Sequence, residues 1–221
     1  MTSLDIAIEL AQKAGDPPKP PLVVGLGGTL SPSSSTEKAI QISLDGAAEG
    51  GAEILLIPGP SLEMPIYAWE RKERTPEAQN LIAVLRRADG IIIGSPGYHG
   101  SISGLVKNAL DYTQDMAEDE WPYFHGRPVG SITTGAGWQG AVTTLTALRG
   151  IVHALRGWNT PLGVAINTAQ RMFDDNGKCL DAKIDTMLRD MGREVAESAR
   201  VRALMRGARN DPNSIGSDND E

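Results

Sequence analysis

Nine residues after an apolar run, Gly28-Thr29-Leu30-Ser31-Pro32-Ser33-Ser34-Ser35-Thr36, set six hydroxyl groups in front of a helical pattern that begins near Glu37. Amides and hydroxyls gathered at a helix N-terminus offer an anion free donors and the positive end of the helix dipole. The donors Thr29, Ser31, Ser33, Ser34, Ser35 and Thr36 are neutral, and no Walker lysine follows them. Leu30 stands where the dinucleotide fingerprint would need its last glycine. A compact neutral site of this kind suits a single phosphate monoester better than a pyrophosphate or a triphosphate. A Ser/Thr linker would have the same composition; the position between a strand and a helix favours the cradle.

A second stretch joins a buried strand to a helix: Ile91-Ile92-Ile93-Gly94-Ser95-Pro96-Gly97-Tyr98-His99-Gly100-Ser101-Ile102-Ser103-Gly104. The β-branched run is expected to stop at Gly-Ser-Pro, because Pro96 lacks an amide donor and biases Ser95 away from helix. Gly97, Gly100 and Gly104 let the backbone come close to a flat ligand, with Tyr98 left at the apex. Ser103 is placed to cap the helix that follows, where Lys107 and Asp111 lie one turn apart and within pairing reach. A third glycine loop, Thr133-Thr134-Gly135-Ala136-Gly137-Trp138-Gln139-Gly140, follows a later strand.

Short apolar runs alternate with longer amphipathic ones, the pattern of βαβ units on a parallel sheet. Strands are expected at Leu22 to Gly27, Ile54 to Ile57, Ile91 to Gly94, Val129 to Thr133 and Leu162 to Ile166. Helices are expected from about Thr36 to Glu49, Pro76 to Arg87, Gly104 to Ala117, Gly140 to Leu155 and Ala182 to Arg206, the last with Ile184, Leu188, Met191 and Val195 on one face. Right-handed crossovers favour a flavodoxin-like, doubly wound, five-stranded α/β sheet of order 2-1-3-4-5, whose switch point receives the first two loops. Residues 1–21 read as an extension, with a helical pattern from Leu4 to Ala14 and a stiff linker carrying Pro17, Pro18, Pro20 and Pro21; residues 22–206 form the domain. Residues 207–221 read as an acidic disordered tail.

With 221 residues, of which 40% are hydrophobic, the chain can bury one good core. A net charge of -7 argues against nucleic acid or an anionic membrane as partner. No apolar run approaches the roughly 20 residues of a membrane span. The lone Cys179 allows no internal disulfide and fits a reducing, cytoplasmic setting, where it reads as an inert thiol.

Over roughly Leu22 to Glu197 the chain resembles the NADPH-dependent FMN reductase family. Gly28, Thr29, Ser34 and Thr36 match the family's phosphate loop, while Ser31 stands where an arginine is usual and so removes a charge-assisted contact. Leu62 to Tyr67 resembles the segment after the family's second strand. Pro96, Tyr98, Gly100, Ser101, Gly104, Lys107, Asn108 and Asp111 match its ring loop, with His99 replacing the more usual asparagine. The third loop resembles the family's third flavin loop.

The resemblance implies FMN bound through the hydroxyl cradle, through Pro96, Gly97, Tyr98, His99, Gly100 and Ser101, and through Thr134, Gly135, Gly137 and Trp138. It implies NADPH or NADH as hydride donor, with the flavin as electron sink, so no side chain need be catalytic and no metal is expected. His99, His125 and His153 then read as loop or helix-surface residues, and Trp138 or Tyr98 could line the nicotinamide pocket. The resemblance implies a small-molecule electron acceptor without choosing among free flavin, a quinone, an azo dye, chromate or a ferric chelate, with a flavin-dependent monooxygenase as a further recipient of reduced flavin. Family members are commonly dimers or tetramers, here through the helix bearing Leu105, Val106, Ala109, Leu110 and Tyr112. Trp121, Tyr123 and Phe124 are expected to pack a loop or a subunit interface. A flavodoxin-type electron carrier or a flavin-binding interaction protein would share the fold; the Lys107-Asn108-x-x-Asp111 helix start argues against the carrier.

Overall fold

The alternation of buried side chains along the sequence sorts the core onto two faces of one sheet in the computed structural model, which describes residues 19–210. The strands are β1 (Leu22–Gly27), β2 (Glu53–Ile57), β3 (Gly90–Tyr98), β4 (Ser101–Ile102), β5 (Pro128–Gly135), β6 (Trp158–Asn159) and β7 (Val164–Asn167). The helices are α1 (Ser35–Glu49), α2 (Pro76–Arg87), α3 (Gly104–Asp111), α4 (Trp138–Ala154) and α5 (Ala182–Asn210). Val24, Leu26, Ile91 and Ile93 pack with Leu81, Leu85, Val106 and Leu148 on one face. Val23, Ile92 and Ile132 pack with Ile40, Leu44, Leu188, Met191 and Val195 on the other. Adjacent strand residues thus point to opposite helix layers, as a two-residue period requires. Across the second layer α1 and α5 touch backbone to backbone, since a Cβ on Gly46 would collide with Arg189 and one on Gly192 with Ser43.

The sheet order is β2-β1-β3-β5-β6, with β7 also on β5 and β4 on β3. This is the expected 2-1-3-4-5 arrangement with two refinements in strand count. The strand expected at Leu162 to Ile166 is β7, and the unexpected β6 precedes it on the same edge: β6 pairs with the start of β5 and β7 with its end. Pro161 lies in the break, where Thr160 turns its hydroxyl onto the Val129 and Leu162 carbonyls. The other refinement is β4, which folds back on β3 as a hairpin arm.

The expected stop of β3 at Gly-Ser-Pro is corrected, because the strand runs on through Pro96 to Tyr98. The Gly94 carbonyl faces β1, where it accepts from Gly28 N. Alternation turns Pro96 toward the same side, beyond the last β1 residue Gly27, so its missing amide costs no ladder bond. Two helix limits also shift. The α3 helix ends at Asp111 and tightens into a 3-10 turn over Tyr112–Met116, and α4 begins two residues early at Trp138. The last helix, α5, expected to end near Arg206, continues to Asn210. Residues 1–18 of the extension, with its helical pattern, and residues 211–221 of the tail lie outside the described residues. No helix among the described residues is long and apolar enough to cross a membrane.

Candidate functional site

Parallel strands send their C-terminal ends to one pole of the sheet, and there the loops after β1, β3 and β5 are stitched together. Gly28 N donates to Gly94 O, joining the first loop to β3. Thr36 Oγ1 lies 2.7 Å from Thr134 Oγ1, joining the first loop to the third. Thr144 Oγ1 donates to Ser101 O at 3.3 Å, joining the second loop to α4. A Cβ on Gly27 would collide with Gly94 O, so glycine alone permits the approach of the first two loops.

In the first loop Ser34 is the N-cap of α1. Its Oγ accepts from Glu37 N and from Thr29 N, both at 3.2 Å. Both acceptor directions are thereby used, and the hydroxyl hydrogen remains to be donated. Thr29 Oγ1 accepts from Ser31 N, and Ser31 Oγ from Ser33 N. Ser31 and Ser33 are exposed, Thr29 and Ser35 half-buried, and Ser34 and Thr36 buried. The first amides of α1, at Ser35 and Thr36, have no carbonyl one turn earlier in their own helix to bond. The nearest charges are turned aside: Glu37 Oε2 accepts from Gly59 N, and Lys38 Nζ donates to Asp174 O at 2.9 Å. What remains is a neutral, donor-rich cradle on a helix dipole, which fits the terminal phosphate of FMN.

The ring loop is tighter than a loop of glycines would suggest. Tyr98 pairs with Ser101 across a two-residue turn in which His99 (φ 52°) and Gly100 (φ 85°) are both left-handed. That is the type I′ geometry of a β-hairpin, with histidine at a position that usually favours asparagine or glycine. Ser95 Oγ accepts from Ser103 N at 2.9 Å and donates to Pro96 O, and Ser103 Oγ in turn caps α3 at Val106 N. Lys107 Nζ pairs with Asp111 Oδ1 at 2.7 Å as the spacing predicts. Tyr98 and Trp138 are 54% and 58% exposed, so both can face an incoming ring. Trp138 is the first residue of α4, whose N-cap Gly137 supplies no side-chain acceptor. The leading amides of that helix are therefore free to meet polar edge atoms of a ligand.

The segment after β2 was legible as a motif, but the residue that anchors it was not. Asn108 Oδ1 accepts from Tyr67 N at 2.8 Å, and its Nδ2 donates to Met64 O and Pro65 O. Tyr112 Oη donates to Pro65 O. Arg74 then locks the segment from outside: its Nε and Nη2 bond both Asp115 oxygens, and its guanidinium lies over the Tyr67 and Tyr112 rings. The Arg74 guanidinium holds the Asp115 carboxyl below the usual carboxylate range, while burial raises the Tyr67 phenol. A separation of 41 positions between Tyr67 and Asn108 hides the contact from any local pattern.

Several expectations meet other surroundings. Leu105 is half-buried and Val106, Ala109, Leu110 and Tyr112 are buried, all against the chain's own core, so the apolar side of α3 is not the free face expected for a neighbour. Phe124 is fully buried in that core and Trp121 lines a groove at the opposite pole. Cys179 is buried, its thiol pushed up by desolvation, in line with an inert role.

A twisted parallel sheet between two helix layers, with glycine and hydroxyl loops at its carboxyl pole, defines a flavodoxin-like α/β protein. Residues 21–171 match the family of NADPH-dependent FMN reductases, and the chain belongs to that family of oxidoreductases. The cofactors that go with it are FMN and reduced nicotinamide. An NAD(P)H-dependent FMN reductase from Pseudomonas aeruginosa is 29% identical over 174 residues, covering 73% of this chain and 85% of the relative. An FMN-dependent NADPH-azoreductase from Staphylococcus saprophyticus is 39% identical over 103 residues, covering 47% of this chain and 48% of that one. The chain thus spans about half the length of the azoreductases it matches. In fold it is similar to the flavoenzyme NAD(P)H:(acceptor) oxidoreductase of Paracoccus denitrificans, with a TM-score of 0.60 at 19% identity, covering 84% of this chain and 98% of the other.

Proposed function

We propose that the chain is an NAD(P)H-dependent FMN reductase that passes electrons to a small acceptor such as free flavin, a quinone or an azo compound. The observation that carries this reading is the knitting of three loops into one neutral, donor-rich surface at the carboxyl pole of the sheet. When bound, FMN supplies the two-electron chemistry between reduced nicotinamide and acceptor. The chain's part is to hold and orient. The hydroxyls of Thr29, Ser31, Ser33, Ser34 and Ser35, with the leading amides of α1, would hold the phosphate. Thr36 and Thr134 brace that cradle from within. The hairpin Pro96 to Ser101 would carry the ring, with the leading amides of α4 and Thr134, Gly135, Gly137 and Trp138 at its edge. Tyr98 and Trp138 would flank the space in which nicotinamide and acceptor alternate and would exclude water from it. A reductase of this kind works alone on its small substrates or supplies reduced flavin to a flavin-dependent monooxygenase.

The reading is tested by titrating apoprotein with FMN and FAD, then adding NADPH or NADH without oxygen. One FMN per chain, bound more tightly than FAD, followed by loss of the oxidised flavin spectrum is expected. Parallel double-reciprocal lines with a quinone or azo acceptor would follow from one shared pocket. FAD binding as tight as FMN would overturn the monophosphate cradle, and a flavin that neither nicotinamide bleaches would mark an electron carrier instead.

A further inference from the structure

The segment between β2 and α2 runs from the phosphate loop to the ring loop. At its start a Cβ on Gly59 would collide with Thr29 O of the first loop. Further along, Asn108 and Tyr112 hold Met64 to Tyr67 against α3, the helix that opens behind the ring hairpin. Beyond Tyr67 the chain makes a tight turn, closed by Arg71 N donating to Ala68 O at 3.2 Å. The Arg74 guanidinium clamps that turn from within: Nη1 donates to Ala68 O and Arg71 O, while Nε and Nη2 hold Asp115. Trp69 and Glu70 form the tip, and Trp69 is 66% exposed. An indole on a turn fixed this firmly is a flat platform that a ligand can meet with little ordering left to do.

Two cations stand beside it. Lys72 Nζ lies 5.8 Å from the centroid of the Trp69 ring. Arg71 is exposed, and no hydrogen bond or ion pair among the described residues engages its side chain. Other basic groups near the three loops are engaged or opposed. Lys38 donates to Asp174 O, Lys107 pairs with Asp111 and Arg74 with Asp115. Lys178 shares its groove with Glu37, Asp45, Asp175 and Asp185. Glu70 and Glu73, both exposed, offset the two cations in net charge, so the turn does not draw anions at large. What it offers is specific: a bidentate fork and a point charge next to an aromatic face. The two reduced nicotinamides differ only in the 2′-phosphate on the adenosine ribose, a group that an arginine suits.

We propose that Trp69, Arg71 and Lys72 receive the adenosine 2′-phosphate end of NADPH, the indole stacking on adenine and the two cations meeting the phosphate, so that this turn selects NADPH over NADH. The assignment rests on the reductase reading above. Calorimetry on the FMN-loaded full chain tests it, with 2′,5′-ADP and 5′-AMP as probes that cannot react. The parent is expected to bind 2′,5′-ADP at least about tenfold more tightly than 5′-AMP, with a smaller margin in high salt. Arg71→Gln combined with Lys72→Gln should bring that margin to about one, and the preference for NADPH over NADH in bleaching the flavin should fall in step. Trp69→Ala should weaken both probes by about tenfold and leave the margin as it was. Lys178→Gln should change neither. A parent that binds both probes alike overturns the assignment while NADPH still bleaches the flavin, and so does a margin that survives the double variant or is lost in Lys178→Gln instead. A flavin that neither nicotinamide bleaches sinks the reductase reading itself, and the assignment with it.

Discussion

Ser34 does two jobs with one oxygen, capping α1 and bracing Thr29, and both depend on its accepting two amide hydrogens. Ser34→Ala should therefore cost about 1–2 kcal/mol of folding stability and about as much in FMN affinity, read from thermal melts of apoprotein and from flavin titration. A variant matching the parent in both would remove Ser34 from the cradle. Ser31 is exposed at the mouth of the same loop. Ser31→Arg should tighten FMN by about 1 kcal/mol and make the binding salt-sensitive; weaker binding would mean that the loop cannot carry the larger side chain. The turn at His99 offers a separate check. Histidine at φ 52° sits where asparagine is better tolerated, so His99→Asn should raise the stability of the chain by about 0.5–1 kcal/mol. An unchanged or lower melting temperature would mean that the imidazole makes up for the backbone. At this scale the sequence was informative wherever the signal is local. Hydroxyls before a helix and glycines after a strand announce themselves, whereas the type I′ hairpin did not, because His-Gly lacks the usual Asn-Gly signature.

Elements were legible in order and type, and their ends were blurred where tertiary contacts decide. The interval Pro76–Arg87 came out as expected because Thr75 caps it and a proline opens it. The edge piece β6 did not, since it exists only as a partner of the start of β5. Least legible was the latch on the segment after β2. Asn108, Tyr112 and Asp115 share one stretch, α3 and the 3-10 turn after it, and meet Arg74 and the Met64–Tyr67 segment only when α3 docks. The latch carries a pH signature. In the folded chain Arg74 keeps the Asp115 carboxyl below its ordinary value, so the unfolded chain takes up that proton first as pH falls. The stability due to the pair is complete above the ordinary carboxylate range, about pH 4, and is lost as pH drops through the lowered value. Asp115→Asn should cost about 1–2 kcal/mol at neutral pH and much less in acid, so that the two melting curves converge below the carboxylate range. A gap that stays constant down to strongly acid pH would show that the pair contributes by packing rather than by charge.

At the scale of the whole molecule, the fold turns the apolar residues of α3 inward and leaves others at the cofactor pole. Leu30, Ile66, Trp69, Tyr98, Trp138 and Val142 are all at least half exposed, and Trp138 and Val142 share one face of α4 by their spacing. Ile66 and Trp69 flank Tyr67, whose backbone and ring the latch fixes. Exposed apolar side chains on a well-anchored rim mark an interaction surface rather than a floppy loop. In the sequence α3 and α4 both read as amphipathic, and only packing tells which apolar face is spent on the core. A second copy set on this rim would cover one side of a ring carried by the hairpin, so the chain should form a homodimer, or a dimer of dimers, whose interface runs through α4. Val142→Glu places a charge in that interface without touching the three loops. Sedimentation at micromolar concentration should show the parent as an oligomer and Val142→Glu as a monomer, with FMN affinity falling alongside because half of the ring's shelter is lost. A parent chain that sediments as a monomer while turning over NADPH would overturn this arrangement, and so would an oligomer whose mass ignores both Val142→Glu and Trp138→Glu.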